Sequence, residues 1–188
     1  MQLKKFIRVI AFDDGYFEPR KSKESTLVGI VYRNDSRIEG IISTHITVDG
    51  LDSTGKIIRL LSESKFLSQV SFVLLNGVNF AGFNVVDVQQ LNRKLKKPVI
   101  VVFRKNADLK KIEAALKRFP DSKKRMALIR KAGMIYEFNH IHFQCIGCEE
   151  QAAKQVIKKL LLHSNLPEPI RLAHIIASGV TLGESTQP

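Results

Sequence analysis

Asp13 and Asp14 stand side by side where an apolar run, Phe6 to Phe12, gives way to Gly15. Carboxylates at the end of a strand face an open sheet edge, where they can ligate a hard cation or move a proton. The same Asp-Asp-Gly is also an ordinary turn. Two more acids, Asp49 and Asp52, flank Gly50-Leu51 ahead of Ser53-Thr54, a pattern that doubles as a helix N-terminus. His140, His142, Cys145 and Cys148 lie within nine residues and are zinc-ligand types. On a strand, however, the two histidines share a face and Cys145 lies opposite, and no second ligand pair follows, so strand histidines and buried cysteines are the plainer reading over zinc or a redox pair. Tyr16, Phe17 and Phe83 are aromatic rings near turns, able to stack on a base or to serve as partial core.

The elements that must position these residues follow from hydrophobic period and turn residues. Phe6 to Phe12 reads as a buried strand; Thr26 to Tyr32 and Arg37 to Val48 are two β-rich runs joined by Arg33-Asn34-Asp35-Ser36, which suits a hairpin. Alternation then sets in: a helix over Thr54 to Leu67, a strand over Val70 to Leu75, a helix near Val86 to Leu95 and a strand over Pro98 to Phe103. Two basic helices follow, Leu109 to Phe119 and Ser122 to Ala132, with Asn106 as N-cap of the first. A short β segment near Met134 to Glu137, a strand over His140 to Ile146, a helix over Glu149 to His163 and a last helix opening at Pro167 complete the chain, with residues 181–188 read as a loose tail. The fold class expected is α/β: three leading antiparallel strands, then parallel strands with flanking helices, the order of a ribonuclease H-like mixed sheet. Without repeats or a Gly/Ser linker, residues 1–188 read as a single domain.

The chain carries 30 Lys and Arg against 18 Asp and Glu, a net charge of +12. Arg93 to Lys131 holds fifteen Lys and Arg and three acids, which equals the whole excess. Such a field attracts polyanions, and DNA or RNA is the partner class it suits; a solvated lysine-studded helical face has the same composition. No apolar run approaches the roughly 20 residues needed to cross a bilayer, Met1 to Arg8 has no signal-peptide pattern, and two close cysteines do not suggest an oxidising compartment. A cytoplasmic protein without a membrane partner is expected. Walker, Gly-x-Gly-x-x-Gly and Gly-x-Ser-x-Gly motifs are absent.

Three stretches resemble endonuclease V. Leu166-Pro167-Glu168-Pro169-Ile170-Arg171-Leu172-Ala173-His174 is similar to its Leu-Pro-Glu-Pro-x-Arg-x-Ala signature, nine consecutive positions ending in a His or Asp. Phe72 to Arg104 matches its strand, Gly-rich loop, helix and Pro-led strand, with Asn76-Gly77 where that family has Asp-Gly and Arg104 where it has Lys. Ala11-Phe12-Asp13 matches the strand of the first metal aspartate more weakly. Val48-Asp49-Gly50-Leu51-Asp52 lies where endonuclease V carries its catalytic Glu, and is shared by an uncharacterised archaeal family related to it, which the whole chain resembles more closely.

The resemblance implies a metal-dependent endonuclease, its catalytic and metal residues being Asp13, Asp52 and His174, with Asp49, Asn76 and Arg104 in support and Mg²⁺ or Mn²⁺ as cofactor. Hydrolysis of a phosphodiester by such ions needs carboxylates to converge, and Asn76 brings no charge where the family has an acid. Asp49 or Asp14 could restore it. A noncatalytic nucleic-acid-binding module with a degraded centre, or a scaffold whose basic helices meet an acidic protein, are therefore the competing expectations. Endonuclease V's Tyr-x-Pro-Gly wedge has no counterpart in Thr47 to Ser53, so its inosine preference does not carry over.

Overall fold

A computed structural model describes residues 4–104 and 108–188; Asn106, the expected helix cap, lies outside them. Seven strands form one mixed sheet: β1 (Arg8–Asp14), β2 (Glu24–Arg33), β3 (Arg37–Thr47), β4 (Phe72–Asn76), then β7 (Val99–Phe103), β8 (Tyr136–Phe138) and β9 (Ile141–Ile146). Between β4 and β7 a two-stranded ribbon, β5 (Asn79–Phe80) and β6 (Asn84–Val85), is set into the Gly-rich loop. The spatial order is β3-β2-β1-β4-β7-β9-β8. β1, β2 and β3 are antiparallel, and β1, β4 and β7 run parallel. β9 departs from the expected parallel continuation and pairs antiparallel with β7.

Strands buried on both faces send alternate side chains to two cores. Ile10, Phe12, Val73, Leu75, Val99 and Val101 face one layer of helices: α1 (Ser53–Ser62), α2 (Val88–Leu95), α3 (Leu109–Leu116) and α4 (Ser122–Lys131). Val9, Ala11, Phe72, Leu74, Ile100 and Val102 face α5 (Glu150–Leu160) and α6 (Glu168–Leu182). Asp108 caps α3 by accepting from the amides of Lys110 and Lys111. The last helix begins with Pro169 in its first turn and ends at Gly183, left-handed at φ 85°, so Thr181 and Leu182 are helical rather than the start of a tail. No helix among the described residues is long and apolar enough to cross a membrane.

The basic segment is not a uniformly solvated face. Arg125 is buried, 5% exposed, and donates to the carbonyls of Gly50 (2.9 Å) and Phe83 (2.6 Å) and to Asp121 (2.8 Å). Arg118 lies over the rings of Phe83 and Phe119 and pairs with Asp49. These two arginines pin the α3–α4 pair to the loops that follow β3 and β5.

Candidate active site at the sheet edge

Strand alternation decides which polar residues meet. Asp13 continues the Val9–Ala11 row, Asn76 the Phe72–Leu74 row and Arg104 the Ile100–Val102 row, so all three leave the sheet on the α6 side, at the carboxyl ends of three adjacent parallel strands. His174, on α6, meets them there. The Asp13 carboxylate, 4% exposed, takes the Asn76 amide on Oδ2 at 2.9 Å, lies 2.9 Å from His174 Nδ1 through the same oxygen, and accepts the Asp14 amide on Oδ1. Hydrogen bonding to Asp13 raises the His174 pKa above its ordinary value, against burial and the Arg104 charge, which lower it.

Asp14 has the opposite parity and turns toward the α1–α4 side, where its Oδ2 accepts the Ala81 amide at 2.8 Å. Burial, reinforced by the charge of Asp13, pushes its carboxyl up to about 7. Both acids, with Tyr16, Asn76, Arg104 and His174, line a cavity of about 330 Å³. Gly15 is required at its floor: a Cβ there would lie 2.5 Å from Thr181 Cγ2 and 2.9 Å from the Ala177 carbonyl, so α6 could not close on the end of β1.

The structure brings together Asp13, Asn76, Arg104 and His174, and does not bring Asp52 to them. Asp52 occupies the N-cap position of α1 without capping it: its carboxylate instead takes Asn84 Nδ2 at 2.6 Å, Thr47 Oγ1 at 3.0 Å and the Thr47 amide. Burial opposes ionisation there, but these donors outweigh it and hold the pKa below the usual carboxylate value. Asp52 opens on a different cavity, of about 530 Å³, lined by Lys56, Arg59 and Lys124. Asp49 is likewise engaged elsewhere: at φ 55° it accepts the Phe83 amide at 2.8 Å and lies 3.2 Å from Arg118, packed so close to Gly82 that a Cβ at that position would approach it to 2.4 Å. Its amide donates to the Ala81 carbonyl while Asp14 takes the Ala81 amide, so the two acids flank one peptide segment.

The sequence offered Asp14 only as an alternative to Asp49 for restoring the charge missing at Asn76, and gave no role to Ser178 or Thr186. Ser178 stands four residues after His174, one helical turn along the same face, a spacing that was available to be read. Thr186 carried no such signal. Of the aromatic candidates, Tyr16 lines the cavity and is 54% exposed, whereas Phe17 and Phe83 pack against the core. Cys145 and Cys148 are free and part-buried, and burial pushes the Cys148 thiol up to about 12; His140 sits in the β8–β9 turn. Among the described residues no three His, Cys, Asp or Glu side chains converge as a ready-made metal cage.

Residues 5–181 match the profile of the family described as Endonuclease dU. The chain belongs to that family. Among its relatives in sequence, a UPF0215 protein of Pyrococcus furiosus is 44% identical over 99% of this chain and 98% of its own length. A UPF0215 protein of Methanothermobacter thermautotrophicus is 42% identical over 98% and 92%. In structure, a protein of unknown function from Archaeoglobus fulgidus superposes with a TM-score of 0.87 at 33% identity, covering 93% of this chain and 98% of that one. Ciona intestinalis endonuclease V, in complex with a 24mer DNA containing an inosine followed by a ribo-adenosine, superposes at 0.63 over 95% and 87% of the chains. At 15% identity, that likeness bears on the fold alone. The chain thus has the endonuclease V-like fold that its sequence resembles.

Proposed function

We propose that this protein is an endonuclease that hydrolyses phosphodiesters in DNA bearing deoxyuridine, with Mg²⁺ or Mn²⁺ held at the Asp13–His174 edge. The observation that carries the reading is the meeting of Asp13, Asn76, Arg104 and His174, from three strands and a helix, with Asp14 in the same cavity. The family description, Endonuclease dU, supports deoxyuridine as the feature recognised.

The donor set suits a hard divalent cation: two carboxylates, one of them Asp14 with an oxygen not spent on the Ala81 amide, and the Asn76 carboxamide, whose nitrogen rather than oxygen faces Asp13. Asp13, Asp14 and the Asn76 Oδ1 would hold the ion, with His174 beside them. When bound, such an ion neutralises charge on the phosphate and lowers the pKa of water. The chain's own groups do the rest. Arg104 offers a planar fork of donors to a phosphate oxygen. Asp13 orients the His174 ring through Nδ1 and sustains its positive charge, which directs Nε2–H toward the substrate. Asp14 would be favoured in its ionised form by the charge of a bound ion, which offsets the burial that raises its pKa in the metal-free chain.

The test is cleavage of labelled single- and double-stranded DNA and RNA, with and without deoxyuridine, in Mg²⁺ or Mn²⁺. Cleavage at deoxyuridine that disappears in Asp13→Ala is the expected result; metal-independent cleavage, or full activity in that variant, would refute the reading. The Asn76–Asp13 hydrogen bond favours a second reading, a binding module without catalysis. In that case DNA affinity falls steeply with salt, as counterion release requires, while no cleavage occurs.

A further inference from the structure

Two groups of the site, His174 and Arg104, are both engaged by oxygens of a single short segment. Thr186 Oγ1 lies 3.0 Å from His174 Nε2, and Arg104 Nη1 donates to the carbonyl of Pro188. The Thr186 amide donates to Ser178 Oγ at 3.1 Å, and that hydroxyl in turn donates to the His174 carbonyl at 2.8 Å. Thr186 also helps to line the Asp13–His174 cavity.

The rest of the segment is held by little. Glu184, Ser185, Thr186 and Gln187 are exposed, and the segment joins no strand or helix. It departs from α6 at Gly183, whose left-handed φ of 85° and open surroundings allow the backbone to turn there. A piece of chain with few buried contacts and a handful of exposed hydrogen bonds opens at low free-energy cost. The hydroxyl that Thr186 presents to His174 is neutral, and a phosphate oxygen in its place bears charge, which strengthens that hydrogen bond.

Building on the proposed nuclease reading, we infer that residues 184–188 form a strap seated where a substrate phosphate binds, the Thr186 hydroxyl and the Pro188 carbonyl standing in for two phosphate oxygens, and that nucleic acid displaces it. The strap is a self-contained competitor: it occupies both side chains in the free protein and yields only to an anion that satisfies both.

Fluorescence anisotropy with a labelled, deoxyuridine-containing single-stranded 20-mer, in Ca²⁺, compares the full chain with a chain lacking residues 184–188 and with Thr186→Val. If the open state is about a tenth of the population, removing the strap lowers Kd about tenfold and Thr186→Val lowers it part-way. Hydrogen exchange in the full chain gives a second readout, with the Thr186 amide losing protection when the 20-mer is added. Equal affinity in all three chains, weaker binding on deletion, or a Thr186 amide that stays protected in the complex would each overturn the strap. Absence of binding in every chain would overturn it together with the nuclease reading. An affinity difference without any cleavage in Mg²⁺ or Mn²⁺ would leave the strap in place and sink only the nuclease.

Discussion

Replacing Asp14 by Asn separates what the fold wants from what the proposed chemistry needs. Asn keeps an oxygen for the Ala81 amide and removes the charge that burial and Asp13 oppose. In the folded chain the carboxyl titrates at about 7, against 3.8 for its ordinary value. That difference is worth about 4 kcal/mol at 1.36 kcal/mol per unit, and water at the cavity mouth reduces it to about 2 kcal/mol. A raised carboxyl pKa means that folding takes up a proton between the two values. The penalty is therefore absent below pH 3.8, grows as pH rises, and is fully present above about 7. Asp14→Asn is expected to melt at about the same temperature as the parent chain near pH 4 and about 4–8 °C higher at pH 8, in chelator, by calorimetry. Adding Mn²⁺ at pH 8 should raise the parent more than the variant and narrow the gap, because binding to the folded state adds stability only where the ligand is held. A melting difference that does not change with pH, or a variant less stable at pH 8, would refute the reasoning. Stability gained with cleavage lost would mark Asp14 as a residue kept for function.

Asn76→Asp removes the donor to Asp13 Oδ2 and sets a like charge against it, so the metal-free chain should lose about 2 kcal/mol at pH 8 by denaturant unfolding. Its Mn²⁺ affinity by calorimetric titration should rise several-fold, and an unchanged affinity would place Asn76 outside a cation site. For His174, an NMR titration should give a pKa above 6.5 that returns toward it in Asp13→Asn. The stabilisation from that pair is complete below pH 6.5 and fades as pH passes the raised value, so Asp13→Asn should cost more stability at pH 6 than at pH 9 by calorimetry. Arg125→Met leaves Asp121 and two carbonyls short of a buried donor; it should cost about 3 kcal/mol in urea, and 1 M salt should leave most of that cost in place.

The strands and helices were legible because their apolar runs are bounded by Gly, Pro and Asp, and the three strand ends that carry Asp13, Asn76 and Arg104 were placed to within a residue or two. Which face each side chain takes was not legible. Strands β1, β4 and β7 are apolar on both faces, so alternation marks no inside, and only the docking of α6 on one of them reveals that Asp13 and Asp14 part company. Asp52 was misplaced for a related reason: its partner Asn84 lies 32 residues away in a ribbon too short to leave a period. The basic segment concealed Arg125, because composition counts a guanidinium the same way whether it meets water or three buried oxygens.

Asp13 and His174 lie 161 residues apart in the chain, yet share a hydrogen bond. As a ribosome releases the chain from its first residue onward, the strands that carry Asp13, Asn76 and Arg104 emerge well before the helix that completes their site. The Asp13–His174 contact therefore cannot form until α6 has left the tunnel. Long-range closure, ordinarily a burden on folding speed, makes this polar cluster a late feature of the fold, completed after the strands that carry most of it.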